Sequence, residues 1–431
     1  MKLVYILLTV YTLQLAALHS PLSGSEPGEQ RQNSGKRDLT FGFLPALSFS
    51  ADKGFGYGIV LQADDKRAGG YSPYYASHRL ILKRTTKGIG DYSYRFDSKY
   101  ISRKKIRITM KASYLTSILE PFYGLGGAQT LYNESYEDSS DDEKYRGKFY
   151  YEYDKRYYRV DTIFQGTLNR ENLRWLGGFT ILSTEIDTID YNDFDEKYLS
   201  LPTNTLLAKL IRSGVVDKKS IQGGSEHSFL VGLVWDSRDD ESTPNSGVWS
   251  EVLFRWVPDM LGNDFSYMSL TGTHRQYLPL IDKLTFAYRL SGRFMSEGVP
   301  FFTATQLDGS FQVQTGIGGG KTIRGVVYQR VNSRNNFYGN FELRYRLADM
   351  FTTGYVAVSS FYDLGRSFDT ASELTEEDIG SADDKFHQGI GGGIRLAINS
   401  TFIVAVDIGK AVDPSIDGSG LKLYIGLDWL Y

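Results

Sequence analysis

The chain has 431 residues, no cysteine and a formal net charge of −3, which excludes a disulfide framework, a thiolate metal site, a cysteine nucleophile and a lipidated N-terminal cysteine. A pI near 6.0 with five histidines leaves no basic footprint for nucleic acid. Aromatics reach 14%, with 31 Tyr and 25 Phe, and mean hydropathy is only −0.31; no long apolar run follows the N-terminus, so a helical membrane protein is excluded and a transmembrane β-barrel, apolar on alternate residues, fits.

In chain order, residues 1–20 read as a secretory signal peptide, with Lys2 as a short positive region and Leu3 to Ala17 as the apolar one. Residues 21–38 read as a polar linker, and 39–431 as the barrel. From Leu39 the hydrophobic period is two. In the segment from Thr401 to Gly409, Phe402, Val404, Val406 and Ile408 share one face while Thr401, Ala405 and Asp407 share the other. Leu421, Leu423, Ile425, Leu427, Trp429 and Tyr431 likewise oppose Lys422, Tyr424, Gly426 and Asp428. Phe229, Val231, Leu233 and Trp235 belong to the same oily surface.

The predicted strands are 40–51, 54–65, 74–86, 89–101, 104–117, 148–168, 174–186, 226–236, 246–258, 264–277, 282–294, 338–348, 353–364, 387–398, 401–410 and 420–431. About sixteen antiparallel strands result, an even number suited to a single-chain barrel. Keeping 148–168 whole puts all long loops, about 118–147, 187–225, 295–337 and 365–386, at one end and short turns at the other. The acidic runs Glu137 to Glu143 and Asp187 to Glu196 have carboxylates that suit calcium. Neither has the glycine and closing glutamate of an EF-hand loop, so both are expected to be solvated outer surface.

The run Gly318-Gly319-Gly320-Lys321-Thr322 has the Gly-Lys-Thr of a phosphate-binding loop. Thr315 stands where that pattern needs its first glycine, and no strand–helix unit surrounds it. What remains is Ile323-Arg324-Gly325 in the loop between strands 11 and 12, with Phe361-Tyr362-Asp363-Leu364-Gly365 downstream and Glu342 on strand 12. With these residues the chain resembles the BamA/TamA-type outer-membrane barrels, the bacterial surface antigen family, as a short member lacking POTRA domains. The resemblance implies that the loop folds inward, with Arg324 and Gly325 at its tip and Asp363, Gly365 and Glu342 on the inner wall as a lumen lock. Asp236-Ser237-Arg238-Asp239 resembles the family's inner turn before strand 9, and Phe122-Tyr123-Gly124-Leu125-Gly126 a segment of its shorter members. The end, Tyr424, Gly426, Trp429 and Tyr431, resembles the sorting signal read by the barrel assembly machinery.

Pro45 cannot donate to a strand ladder and Gly426 weakens the last strand, so the seam between the first and last strands is expected to be the weakest. The expected protein is an all-β integral barrel of the bacterial cell outer membrane, with outer-membrane lipid around it. Its expected work is outer-membrane biogenesis, by protein or lipid insertion, or that of a surface scaffold; the alternative is a passive porin for small solutes. A phospholipase needs a Ser/His constellation, and His78, His227, His274 and His387 sit in none recognisable from the sequence. No enzyme activity, cofactor, metal or nucleic-acid partner is expected.

Overall fold

A computed structural model describes residues 39–426 apart from 52, 68–73, 99–105, 128–131, 142, 169–171, 188, 190–204, 242, 311–312, 351–353, 370–384 and 398–402. The expected signal peptide (1–20) and linker (21–38), with Leu427, Trp429 and Tyr431, lie outside the described residues.

Among the described residues sixteen strands form one closed antiparallel sheet. The first is broken into Leu39–Pro45 and Ser48–Ser50. The second to seventh are Gly54–Asp65, Ala76–Thr85, Ile89–Ser98, Arg107–Pro121, Glu152–Thr167 and Leu173–Asp187. The eighth is Gly223–Ser225 with Ser228–Asp236, and the ninth to eleventh are Gly247–Val257, Tyr267–Ile281 and Leu284–Met295. The last five are Asn336–Met350, Gly354–Ser367, His387–Ala397, Ile403–Ala411 and Lys422–Gly426. The predicted 148–168 is indeed one strand, and the long loops gather at one end.

Apolar side chains alternate outward. On the eighth strand Phe229, Val231 and Leu233 are 42%, 54% and 51% exposed, whereas Leu230 and Val234 between them are 3% and 2% exposed. A soluble sheet would bury its apolar face; here that face is outside, as lipid requires. Inside, arginines, carboxylates and the connection between the eleventh and twelfth strands fill much of the barrel.

The first strand departs from the single 40–51 segment expected. Pro45 stands opposite Ile59 but has no N–H to give. The ladder resumes with Ala46 N donating to Gly58 O at 2.9 Å, and the strand restarts at Ser48. At closure, Phe49 pairs with Ile425 and Ser50 with Tyr424, and Ala51 N donates to Leu423 O at 3.0 Å. The neighbouring fifteenth and sixteenth strands share a longer register, from Ala405 opposite Gly426 to Gly409 opposite Lys422.

Candidate functional site

The connection between the eleventh and twelfth strands runs along lumenal side chains from one wall to the other. Lys155 Nζ donates to Phe302 O at 2.8 Å and Arg255 Nε to Asp308 Oδ1 at 2.9 Å. Ser310 N donates to Glu251 Oε2 at 2.9 Å, and Gln329 Nε2 to Glu120 Oε1 at 2.9 Å. The Gly-rich run is a structural turn. Gly318 N donates to the fully buried Thr322 Oγ1 at 2.9 Å, and that hydroxyl donates to Gly316 O.

At the loop tip Arg324 is fully buried. Its backbone N reaches Asp363 Oδ2 at 3.0 Å, and its Nε and Nη2 grip Asp363 at 2.8 and 3.0 Å. Nη1 reaches Glu342 Oε1 at 3.1 Å and Asp407 Oδ2 at 3.5 Å. The guanidinium lies 3.5 Å from the centre of the Phe361 ring. Glu342 also accepts from Arg344 Nη2 at 2.8 Å, and Asp407 from Arg395 Nη1 at 2.7 Å. Three guanidiniums therefore balance three carboxylates in a desolvated cluster spanning the loop and the twelfth to fifteenth strands. Such a cluster fixes geometry more than it adds net stability, because desolvation offsets the Coulomb attraction.

Glycines make room for the tip. Gly325 has φ +93°, and a Cβ there would stand 2.4 Å from Lys410 C. A Cβ on Gly365 would meet Ile323 Cδ1 at 2.7 Å. Gly325 N donates to Tyr424 Oη at 3.2 Å, so the tip touches the last strand beside the seam. The expected residues Arg324, Gly325, Asp363, Gly365 and Glu342 thus lie together, with Tyr424 next to them. Pro45 and Gly426 lie on the first and last strands; Trp429 and Tyr431 are outside the described residues.

Sequence reasoning missed Asp407 and Arg395. Both stood on a polar face, but only strand register brings them to Arg324. In the first acidic run Asp138, Ser139, Ser140 and Glu143 are exposed, as expected, and most of the second run lies outside the described residues. What was missed is the use made of the first run's leading carboxylate and of the one before it. Glu134, just before that run, takes Ser419 N and Oγ at 2.6 and 2.7 Å, and Glu137 takes Tyr151 N at 3.1 Å. Burial pushes the Glu137 carboxyl up to about 7, against the backbone bond and nearby lysines, which pull it down. A third miss is a Ser/His pair. Ser250 and His274 are opposite on the ninth and tenth strands, with Oγ 2.8 Å from Nδ1, and Tyr288 Oη is 3.4 Å from Nε2. All three point outward, between apolar neighbours. The N–H groups around them belong to ladder strands, so among the described residues no donor pair is preorganised there for an oxyanion.

The other family-like segments are also placed. Arg238 Nε and Nη2 hold Asp236 at 2.9 and 3.1 Å in the turn before the ninth strand. Phe122 packs edge-on against Phe301, and Gly126 bridges to Asn332, tying that segment to the inward loop.

Residues 87–428 match the Omp85 superfamily domain. No curated protein matches the sequence. By shape the chain is similar to BamA from Haemophilus ducreyi lacking POTRA domains 1-3, with TM-score 0.57 and 12% identity over 93% of this chain and 71% of that one. It is also similar to CdiB from Escherichia coli, with TM-score 0.55 and 10% identity over 93% of this chain and 68% of that one.

Proposed function

This chain belongs to the Omp85 superfamily, and on that premise we propose that it serves in the bacterial outer membrane as an assembly or export barrel, without enzyme activity, whose working part is the seam. In this reading 1–20 target the chain for secretion, 39–431 form the barrel, and the barrel assembly machinery inserts it among outer-membrane lipids. The observation that carries the reading is the contact chain at the loop tip. Arg324 is fixed by Asp363, Glu342 and Asp407, and the next residue, Gly325, donates to Tyr424 on the seam strand. The loop thereby acts as a lock on the side of the barrel that has the shortest described register.

Opening that seam exposes two strand edges to lipid, where an incoming strand can pair with them. Each unpaired backbone group in a dry setting is costly, so a short ladder opens more easily than a long one. The chain has no cysteine, so a lock is simple to introduce. Cysteines at Phe49 and Ile425, which are register partners, are expected under oxidation to abolish assembly of a client barrel in proteoliposomes, with recovery on reduction. Cysteines at Leu82 and Tyr92, partners on the third and fourth strands, are expected to leave assembly unchanged. Equal activity of oxidised and reduced seam variants would overturn the reading.

A further inference from the structure

The lumen is filled unevenly. Arg289, Arg324 and Arg395 are fully buried by the inward loop or by carboxylates, and Arg293 is 1% exposed. On the second to sixth strands the inner wall carries a different set of cations. Gln62, Arg79, Arg95, Lys111 and Asp161 are successive cross-strand partners on adjacent strands. Arg79, Arg95 and Lys111 are thus three cations side by side, all on the lumenal face that alternates with outward Leu80, Tyr94 and Met110. Lys83 lies on the same face of the third strand, opposite Asp91.

Most carboxylates nearby are shared with other cations, while Asp91, opposite Lys83, also faces the row. Asp161 accepts from Arg159 Nε at 2.8 and 3.0 Å and from Thr180 Oγ1 at 2.8 Å. Asp97 takes Arg107 Nε at 2.9 Å and lies 4.0 Å from Arg95. Arg79 donates to the neutral Gln62 Oε1 at 3.0 and 2.8 Å. From the loop, Asp308 is held by Arg255. Among the described residues Lys111 makes no ion pair, and the Arg95 side chain remains 31% exposed. A small pocket lined by Arg95, Lys111, Arg159, Asp161 and Arg255, with Gln306 and Gly309 of the loop across from them, begins at the row.

Like charges directly opposite each other destabilise a sheet. A sequence that places three in a row, with Asp97 and Asp161 beside them already shared with Arg107 and Arg159, breaks a local rule with only part of the charge compensated, and such breaks mark sites of function. We propose that this row is an anion site, and that the part of the lumen beside the second to fifth strands forms a passage selective for small inorganic anions. Cations clustered on a low-dielectric wall concentrate anions and repel cations, and lysine and arginine at a constriction set anion preference. The inference needs only the lumen and not the seam, so its failure leaves the assembly reading intact, and the converse holds.

The test is the purified full chain in a planar bilayer under a potassium chloride gradient. The expected result is a measurable conductance with chloride several times more permeant than potassium. The paired variant Arg95→Glu with Lys111→Glu is expected to bring that ratio below one. If it does not give a heat-modifiable folded barrel, Arg95→Gln with Lys111→Gln is used instead, with a ratio expected near one. No conductance, a potassium preference in the unaltered chain, or an unchanged ratio in a folded variant would each overturn the proposal.

Discussion

At the scale of residues, Arg324 is shared between three carboxylates, and this governs what its replacement does. Arg324→Ala leaves Asp363, Glu342 and Asp407 facing only Arg344 and Arg395. Removing one member of a buried ion cluster costs about 3–5 kcal/mol, because the remaining charge is uncompensated. The urea midpoint of the heat-modifiable band is expected to fall accordingly. Arg324→Lys should recover only part of this, since one ammonium cannot grip Asp363 with two donors while reaching Glu342. Exchanging the charges, Arg324→Asp with Asp363→Arg, should not rescue either single change, because the new aspartate would stand beside Glu342 and Asp407. Of this site, Arg324, Asp363 and Glu342 were legible in the motifs. Asp407 and Arg395 were not, because their meeting depends on which residues the register sets side by side.

At the scale of elements, strand positions were readable because a sheet with lipid on one side and water on the other imposes a strict period of two. The second strand, Gly54–Asp65, is placed as predicted to the residue. The break in the first strand was half legible: Pro45 signalled a missing donor, but not that the strand would stop and restart. Neighbours on one strand provide the test of the faces. Leu61 is 40% exposed outward, while Val60 faces the lumen. Leu61→Arg is expected to cost roughly 2–4 kcal/mol, as a cation on the lipid face does. Val60→Arg should be nearly neutral, and equal loss of folded barrel from both would refute the assigned faces. In the loop before the sixth strand, Glu137 is a pH probe. Its carboxyl, raised to about 7 by burial, binds a proton in the folded loop that the unfolded chain releases nearer 4.5. The folded loop therefore loses stability as pH rises from about 4.5 through 7. Protease resistance of this loop is expected to fall across that interval, and Glu137→Gln to reduce the fall, the remainder following the neighbouring Glu152 carboxyl.

At the scale of the whole molecule, barrel class and family were visible in alternation, loop asymmetry and a few motifs. The division of the lumen was not. Charges of both signs were evident on the polar faces, yet their segregation into a neutral, dry cluster and a wet cationic row follows only from the closed sheet and the path of the loop. The carboxylate-rich side holds the tip, and the cationic row lies on the opposite wall, beside the second to fifth strands.

The tip's reach to Tyr424 also carries a consequence for how the chain acquires its shape. The bonds of this loop join residues far apart in sequence: Gln329 to Glu120, Arg324 to Asp407 and Gly325 to Tyr424. Contacts of such long sequence separation form slowly, since the intervening chain must be ordered first. The tip's partners lie on the twelfth, thirteenth, fifteenth and sixteenth strands, so its full set of bonds forms only when these strands stand around it. Docking of the tip is therefore expected to accompany placement of the C-terminal strand, late in folding. Gly325→Val, which blocks the approach to Lys410, is expected to slow the appearance of the heat-modifiable band during refolding far more than it alters the earlier gain of β-structure seen by circular dichroism.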